Sequence, residues 1–445
     1  MKHTSRQAYG LMTTITMIVG IVIGSGIFFK SDDILSATGG NFQLGLLVLI
    51  LGAMGIIFGS LTLSQLATRT ADSGGAVSYF TELYSHPMGS GFGLFQTFVY
   101  YPTITVVVSW VAAIYTWMLL GKEVTLLGQM LLGAVYLVLF ILMNTVSRRG
   151  GGLFQNLSTI VKLIPLFFIA LAGIFAAERI ALPAGVTPVH PQSVGLHWLT
   201  GLAPMAFSYD GWIIATAIAP EVRNPHKNVP RALVLAPLFI LLCYVLYFTG
   251  IVRIAGESYV LTMGDKTVDA VFTHLLGPVG GRVMVAIVIV SVLGVVNGLI
   301  LGGIRMPQAL AEKGMIFPPS VGKLHPTLQI SIPSSMAYLG ICLFWYVVHF
   351  ITIRFNLLGG RDISEIAIVF SYATYILLYI KIFGLYRKGE LKSTFLGVVS
   401  PIFATFAAIL MILGGLLSSP GYIAAFLIFC ALTFALGASL EARHE

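Results

Sequence analysis

Residues 10–36 read GLMTTITMIVGIVIGSGIFFKSDDILS, an apolar run that would cross a bilayer but is interrupted at its middle by Gly24-Ser25-Gly26. No water in the hydrocarbon can satisfy a bared peptide group, so a break at that depth persists only where protein or a water-filled cavity supplies partners. Half-helix ends of this kind face ligands in secondary transporters, with free N–H groups toward anionic substrate groups and free carbonyls toward cations. The segment therefore has two readings: a seat for a substrate carboxylate, or close helix packing through the small residues Gly20 and Gly24.

With 57% hydrophobic and 9% charged residues among 445, the chain cannot present the surface of a soluble protein. Windows of about 20 apolar residues, the length a membrane helix needs, recur at 10–36, 41–69, 91–120, 126–145, 152–177, 197–220, 231–255, 270–312, 329–350, 364–383, 394–417 and 421–440. These twelve spans, numbered here in chain order, predict an all-α integral membrane protein with one transmembrane domain, 1–445. Span 1 follows Lys2 and Arg6 as a signal peptide would. It is too long for one and lacks a small-residue cleavage site, so it is expected to remain in place.

Positive charge resists translocation, and this orients the chain. Sixteen of the 25 Lys and Arg residues fall on the side of the N-terminus, which predicts cytoplasmic termini. The formal net charge of +8 then follows from topology and from attraction to anionic headgroups, without nucleic acid. Cys243, Cys342 and Cys430 lie apart in apolar spans and suggest packing; neither a disulfide framework nor a metal site is indicated, and no cofactor is expected.

Span 6 repeats the pattern of span 1. Its apolar run contains Phe207-Ser208-Tyr209-Asp210-Gly211, which places hydroxyls, an acid and a glycine near mid-membrane. Two broken spans five apart imply two five-helix repeats, approximately 10–177 and 197–383, with spans 11 and 12 (394–440) outside them. Because five is odd, the second repeat enters from the opposite side, giving an inverted repeat with its site at the interface. Asp210 binds substrate or a cation, or it caps the second half-helix. Lys162 is the other ionisable group within a span. At a helix centre it costs about 2.5–3.5 kcal/mol to insert and so should face inward toward oxygen partners. It either bonds carbonyls freed by the break in span 1, standing where a transported cation would sit, or pairs with Asp210.

Between the spans, residues 71–80 are too polar to cross and are expected to form an interfacial helix. The stretch Glu221 to Arg231 reads as a positively charged cytoplasmic loop. Residues 315–319 suggest a short buried turn before span 9.

Together these residues resemble the amino acid, polyamine and organocation transporter superfamily, and within it the L-amino acid transporter branch. Gly24-Ser25-Gly26-Ile27-Phe28 matches its motif in span 1, and Ser73-Gly74-Gly75 with Tyr79 matches its loop motif. Gly211-Trp212 through Glu221, Asn224-Pro225 and Pro230-Arg231 match its span 6 signature. Three such matches in order at the right spans are specific, and the resemblance covers essentially the whole chain.

The resemblance implies the fold shared with bacterial neurotransmitter-symporter relatives, and sodium-independent, obligatory exchange of amino acids at the cell membrane. It places the substrate carboxylate on the Ser25 hydroxyl and the backbone N–H groups of Ser25 and Gly26. The α-ammonium then meets carbonyls of Val22, Phe207, Ser208 and Asp210, with Phe207 as an aromatic gate. Lys162 matches a span 5 lysine that reaches span 1 and a span 8 hydroxyl, here Ser291. Tyr244 and Asn297 fall near the side-chain end, although Asn297 could equally join helices.

One departure matters. Relatives that work as heterodimers join a glycoprotein through an extracellular cysteine after span 3, but residues 121–125, GKEVT, contain none. No disulfide-linked subunit is therefore expected. Apolar surroundings and the lack of a second buried acid favour small neutral substrates such as alanine, serine, threonine or cysteine. A proton-coupled uptake symporter of the same fold is the alternative, using Lys162 or Asp210 as the proton carrier. A channel would want rings of pore-lining polar groups and an enzyme a nucleophile-base or metal set; neither is found.

Overall fold

The computed structural model describes residues 9–441 apart from 30, 71–73, 177, 218, 265, 359–361 and 419. Among them ten helices are long and apolar enough to cross a membrane: Phe42–Ala67, His86–Leu119, Leu126–Val146, Arg149–Phe175, Pro225–Ala255, Lys266–Glu312, Ile332–Arg354, Ala367–Arg387, Phe395–Leu417 and Ala424–Glu441. They coincide with predicted spans 2–5 and 7–12, and the chain is a multi-pass membrane protein. The two predicted spans outside that set are the two with a polar interruption. Span 1 divides into Leu11–Val22, Ser25–Phe29 and Ser31–Ala37, and span 6 into a 3-10 turn Gly195–Gly201 followed by Leu202–Ser208 and Ile214–Ala217.

Apolar side chains cover the outside as well as the inside. In span 4, Leu131, Val135, Leu139 and Leu142 are 59%, 51%, 55% and 49% exposed, and their spacing of three and four draws one stripe along the helix. Such a stripe fits a lipid-facing surface. In span 5, Leu157, Ile160 and Ile164 form the outward stripe, and Lys162, two residues or roughly 200° around from Ile160, is fully buried. The interior is where polarity collects: Asn144, Gln155, Ser158, Lys162, Ser291 and Asn297 are all at 0% exposure.

Two sequence features bring helices close to the broken segments. A side chain at Gly52 of span 2 would meet Met205 and the Tyr209 ring at 3.0 Å, and one at Gly59 would meet the Tyr379 hydroxyl at 2.6 Å. Gly52 thus lets span 6 lie against the backbone of span 2, and Gly59 makes room for Tyr379 of span 10 beside Trp212. In span 3, Pro102 has no N–H and frees the carbonyl of Phe98. A π-turn at Gln96–Tyr100 absorbs the irregularity, and the Trp345 indole N–H of span 9 donates to Phe98 O. Turns of this kind recur at functional sites; this one carries Tyr100.

The connections depart in part from expectation. Ala76–Leu83 is helical as predicted, but Val77 and Phe80 are fully buried and Phe80 stacks on Phe92 with ring centroids 4.5 Å apart. The helix packs into the protein, and Ser73 of the loop motif lies outside the described residues. Before span 9 the chain bends at Met315 to Phe317, with Met315 buried and Ile316 at φ +55°, but Pro318 and Pro319 are exposed, so the expected buried turn forms only at its start. Beyond span 6, Glu221 Oε1 accepts from Arg305 Nε at 2.6 Å, with side chains 8% and 13% exposed. Removing one partner of such a pair costs about 3–5 kcal/mol. Tyr9 pairs with the same segment, its N–H donating to Glu221 O at 3.0 Å and its carbonyl accepting from Arg223 N–H at 2.8 Å. The stretch expected to be a plain basic loop therefore ties the ends of spans 1, 6 and 8 together.

Candidate substrate site at the two helix breaks

A helix that stops inside the membrane leaves its last carbonyls without intrahelical partners. The first part of span 1 ends at Val22, and the Ile23 N–H donates back to Val19 O at 2.8 Å. Lys162 Nζ donates to Gly20 O at 2.7 Å and Ile23 O at 2.6 Å. A cation at a helix C-terminus is also favoured by the helix dipole. The Tyr244 hydroxyl of span 7 lies 3.1 Å from Val22 O and 2.7 Å from Ser208 O, which bridges the two breaks. Tyr244 therefore stands at the backbone end of the site, against its expected place near the substrate side chain. It covers two of the carbonyls expected for the ammonium.

The second half of span 1 begins at Ser25, and the first N–H groups of any helix lack intrahelical acceptors. A Cβ added to Gly26 would lie 2.9 Å from Ser208 Oγ and 3.1 Å from Ser208 Cα, so only glycine allows the two broken segments to meet here. The side chain of Ser25 lies outside the described residues. Gly20 and Gly24 also pack closely, against Thr159 and Val295, so the small-residue pair serves packing while the break serves the cavity.

In span 6 the turn runs from Tyr209 to Ile213, with Gly211 at φ +97°, a conformation that favours glycine. Asp210 Oδ2 accepts from the Tyr100 hydroxyl at 2.6 Å. The carboxylate is thus held by Tyr100, and the second half-helix starts further on, at Ile214. No ion pair joins Asp210 to Lys162 among the described residues.

The two breaks enclose a cavity with about 30 Å³ open to the centres of water molecules, room for about two waters. Val22, Gly24, Gly26, Phe207, Ser208 and Asp210 supply its backbone-rich side, and Ile104, Val108, Val295, Leu299 and Ile368 its apolar wall. Phe207 is half-buried at the cavity edge. Of the sequence-predicted residues, Val22, Gly26, Phe207, Ser208 and Asp210 line this one space.

Two expectations fail geometrically. The Ser291 hydroxyl is buried without a hydrogen-bond partner, so the tie from Lys162 to Ser291 is not made; the ammonium turns to the span 1 carbonyls instead. Asn297 donates to Gly151 O at 3.0 Å and Gln155 Oε1 at 2.8 Å and accepts from Asn144 at 2.8 Å. It joins spans 4, 5 and 8 and does not line the cavity. Sequence reasoning missed Tyr100, whose only signal was the Pro102 that follows it in an otherwise regular span.

The model of the amino acid permease family matches residues 9–436. The chain belongs to the amino acid permease family. This permease is 26% identical over 400 residues to the serine/threonine exchanger SteT of Bacillus subtilis (strain 168), which covers 87% of this chain and 86% of SteT. It is 26% identical over 446 residues to the human b(0,+)-type amino acid transporter 1, covering 94% of the permease and 85% of that protein. It is also 25% identical over 345 residues to the mouse Asc-type amino acid transporter 1, covering 75% of the permease and 64% of that transporter.

Proposed function

We propose that this permease is a sodium-independent exchanger of small neutral L-amino acids, alanine, serine, threonine and cysteine among them, at the cell membrane. Twelve spans in a 5+5 inverted repeat, approximately 10–177 and 197–383 with spans 11 and 12 at 394–440, carry the substrate by alternating access, and both termini face the cytoplasm. The observation that carries this reading is Lys162 bonded to Gly20 O and Ile23 O. These are carbonyls of the kind that coordinate sodium at broken helices, and a resident ammonium occupies them.

The carboxylate of the substrate sits at the N–H groups of Ser25 and Gly26 and takes the Ser25 hydroxyl. Its ammonium meets the carbonyls of Val22, Phe207, Ser208 and Asp210, displacing the Tyr244 hydroxyl from the first and third. Lys162, Ser291 and Phe207 serve coupling and gating, and Phe207 closes over the ligand. The apolar wall and the engagement of Asp210 by Tyr100 support a short uncharged side chain. A disulfide-linked glycoprotein subunit is not required, because residues 121–125 hold no cysteine. The sequence relatedness to a protein named as a serine/threonine exchanger supports exchange over one-way uptake.

Proteoliposomes preloaded with labelled alanine test the substrate assignment. External alanine, serine, threonine or cysteine should release the label at least tenfold faster than external arginine or glutamate. Equal release by arginine would contradict a neutral-substrate site.

A further inference from the structure

Among the residues lining the central cavity, Asp210 is the one acid. It is 8% exposed, whereas Tyr100, which donates its hydroxyl to Asp210 Oδ2 at 2.6 Å, is at 0% and lies behind the lining. The carboxylate is therefore held from outside the space it borders. No other side chain among the described residues donates to it, and no cation among them pairs with it.

Tyr100, Ile104 and Val108 recur every four residues and so share one face of span 3. Ile104 and Val108 belong to the apolar wall of the cavity, and Tyr100 stands about 6 Å along the helix axis from Ile104. A substrate side chain lying on that wall thus runs beside the acid. The Tyr100 ring is packed independently of its hydroxyl, edge-on to Tyr101 with centroids 5.3 Å apart and against Phe95 at 6.4 Å. Packing fixes the ring, and the hydroxyl is left to the carboxylate. A carboxylate beside an apolar cavity is a strong acceptor for a cationic head, because hydrogen bonds between ions are stronger than those of neutral groups. A substrate ammonium could take Oδ2 only by displacing Tyr100, which would leave a buried hydroxyl unpaired. A neutral side chain never incurs that penalty.

We infer that Tyr100 is the specificity-determining residue that excludes cationic side chains: its hydroxyl keeps the Asp210 carboxylate engaged, and without it Asp210 receives the side-chain ammonium of a short dibasic amino acid. The inference rests on the substrate placement proposed above and names the residue that enforces a neutral side chain there.

Tyr100→Phe keeps the ring and its packing and removes only the hydroxyl. The probes are labelled ornithine and labelled norleucine, which match in length and shape except that norleucine has a methyl where ornithine has its ammonium. In equilibrium binding to purified protein, the ratio of ornithine to norleucine affinity should rise at least tenfold in Tyr100→Phe, the scale of one hydrogen bond to a charged group. In Tyr100→Phe/Asp210→Asn it should return to within twofold of the wild type. A smaller rise, no binding of ornithine by Tyr100→Phe, or a rise that survives Asp210→Asn would overturn the inference. A second measurement does not depend on the folding of Tyr100→Phe. In Asp210→Asn alone the same ratio should stay within twofold of the wild type, because the carboxylate is already engaged; a larger change would also overturn the inference. Alanine exchange by the wild type separates the two readings: should it be absent while the ratios follow this pattern, the substrate assignment falls and the role of Tyr100 stands.

Discussion

Lys162→Ala is expected to yield a protein that expresses and purifies near wild-type levels but exchanges alanine at less than a tenth of the wild-type rate. Two opposing effects make this outcome specific. The substitution relieves the insertion cost of a fully buried charge, about 2.5–3.5 kcal/mol at a helix centre. It also leaves Gly20 O and Ile23 O short of the donor they now share, at about 1–3 kcal/mol for each buried group left unsatisfied. The sums are similar, so folding survives. Transport does not, because the population of the substrate-competent state depends on contacts that differ between conformations, and these two bonds fix the ends of the unwound stretch. Lys162→Arg retains charge with a planar, larger head and should show a weaker defect than Lys162→Ala. Wild-type exchange by purified Lys162→Ala would reduce the lysine to a packing residue and remove the main support for sodium independence.

Gly26→Leu is expected to abolish substrate binding while leaving a monodisperse protein. A Cβ at this position would sit 2.9 Å from Ser208 Oγ and 3.1 Å from Ser208 Cα, closer than side-chain contacts tolerate. The two broken segments must therefore part, and the remaining atoms of leucine occupy the space given to the carboxylate. Gly26→Ala introduces the first clash without the second and should weaken binding at least tenfold. Equilibrium binding of labelled alanine in detergent measures both. An unchanged affinity in Gly26→Leu would place the carboxylate elsewhere.

The bundle was largely legible from the chain, because apolar windows about 20 residues long have few uses outside a membrane. The two breaks were legible from polar and glycine residues set inside such windows. Their edges shifted: span 1 stops at Val22 and resumes at Ser25 itself, and the turn in span 6 extends past Gly211 to Ile213. The start of span 3 was placed at 91, yet the helix begins at His86, where Ser85 Oγ accepts from the Met88 N–H and Pro87 occupies the first turn. That is an N-cap signal of ordinary kind, masked by the glycines that dilute the apolar pattern there.

What the chain did not disclose was which polar groups meet. Helices apolar around most of their circumference carry little information about which face meets which neighbour. Tyr244 and Ser208 are 36 residues apart, Tyr100 and Asp210 are 110 apart, and only the packed bundle brings them together. Lys162 illustrates both sides. Its inward position and its need of oxygen partners follow from the cost of burying charge, but the packed structure decides for the carbonyls over Asp210, and its bond to Ser291, taken from family resemblance, is not formed. The ion pair of Glu221 with Arg305 stayed hidden because a charged stretch at a span end has a sufficient explanation in topology.

The central claim is that a resident ammonium replaces the coupling cation and makes exchange obligatory. The most direct measurement is uptake of external labelled alanine into proteoliposomes that are either empty or loaded with unlabelled alanine, in sodium and in choline buffer. Loaded vesicles should accumulate label equally in both buffers, and empty vesicles should accumulate none in either. Robust uptake into empty vesicles driven by a sodium gradient would contradict the account.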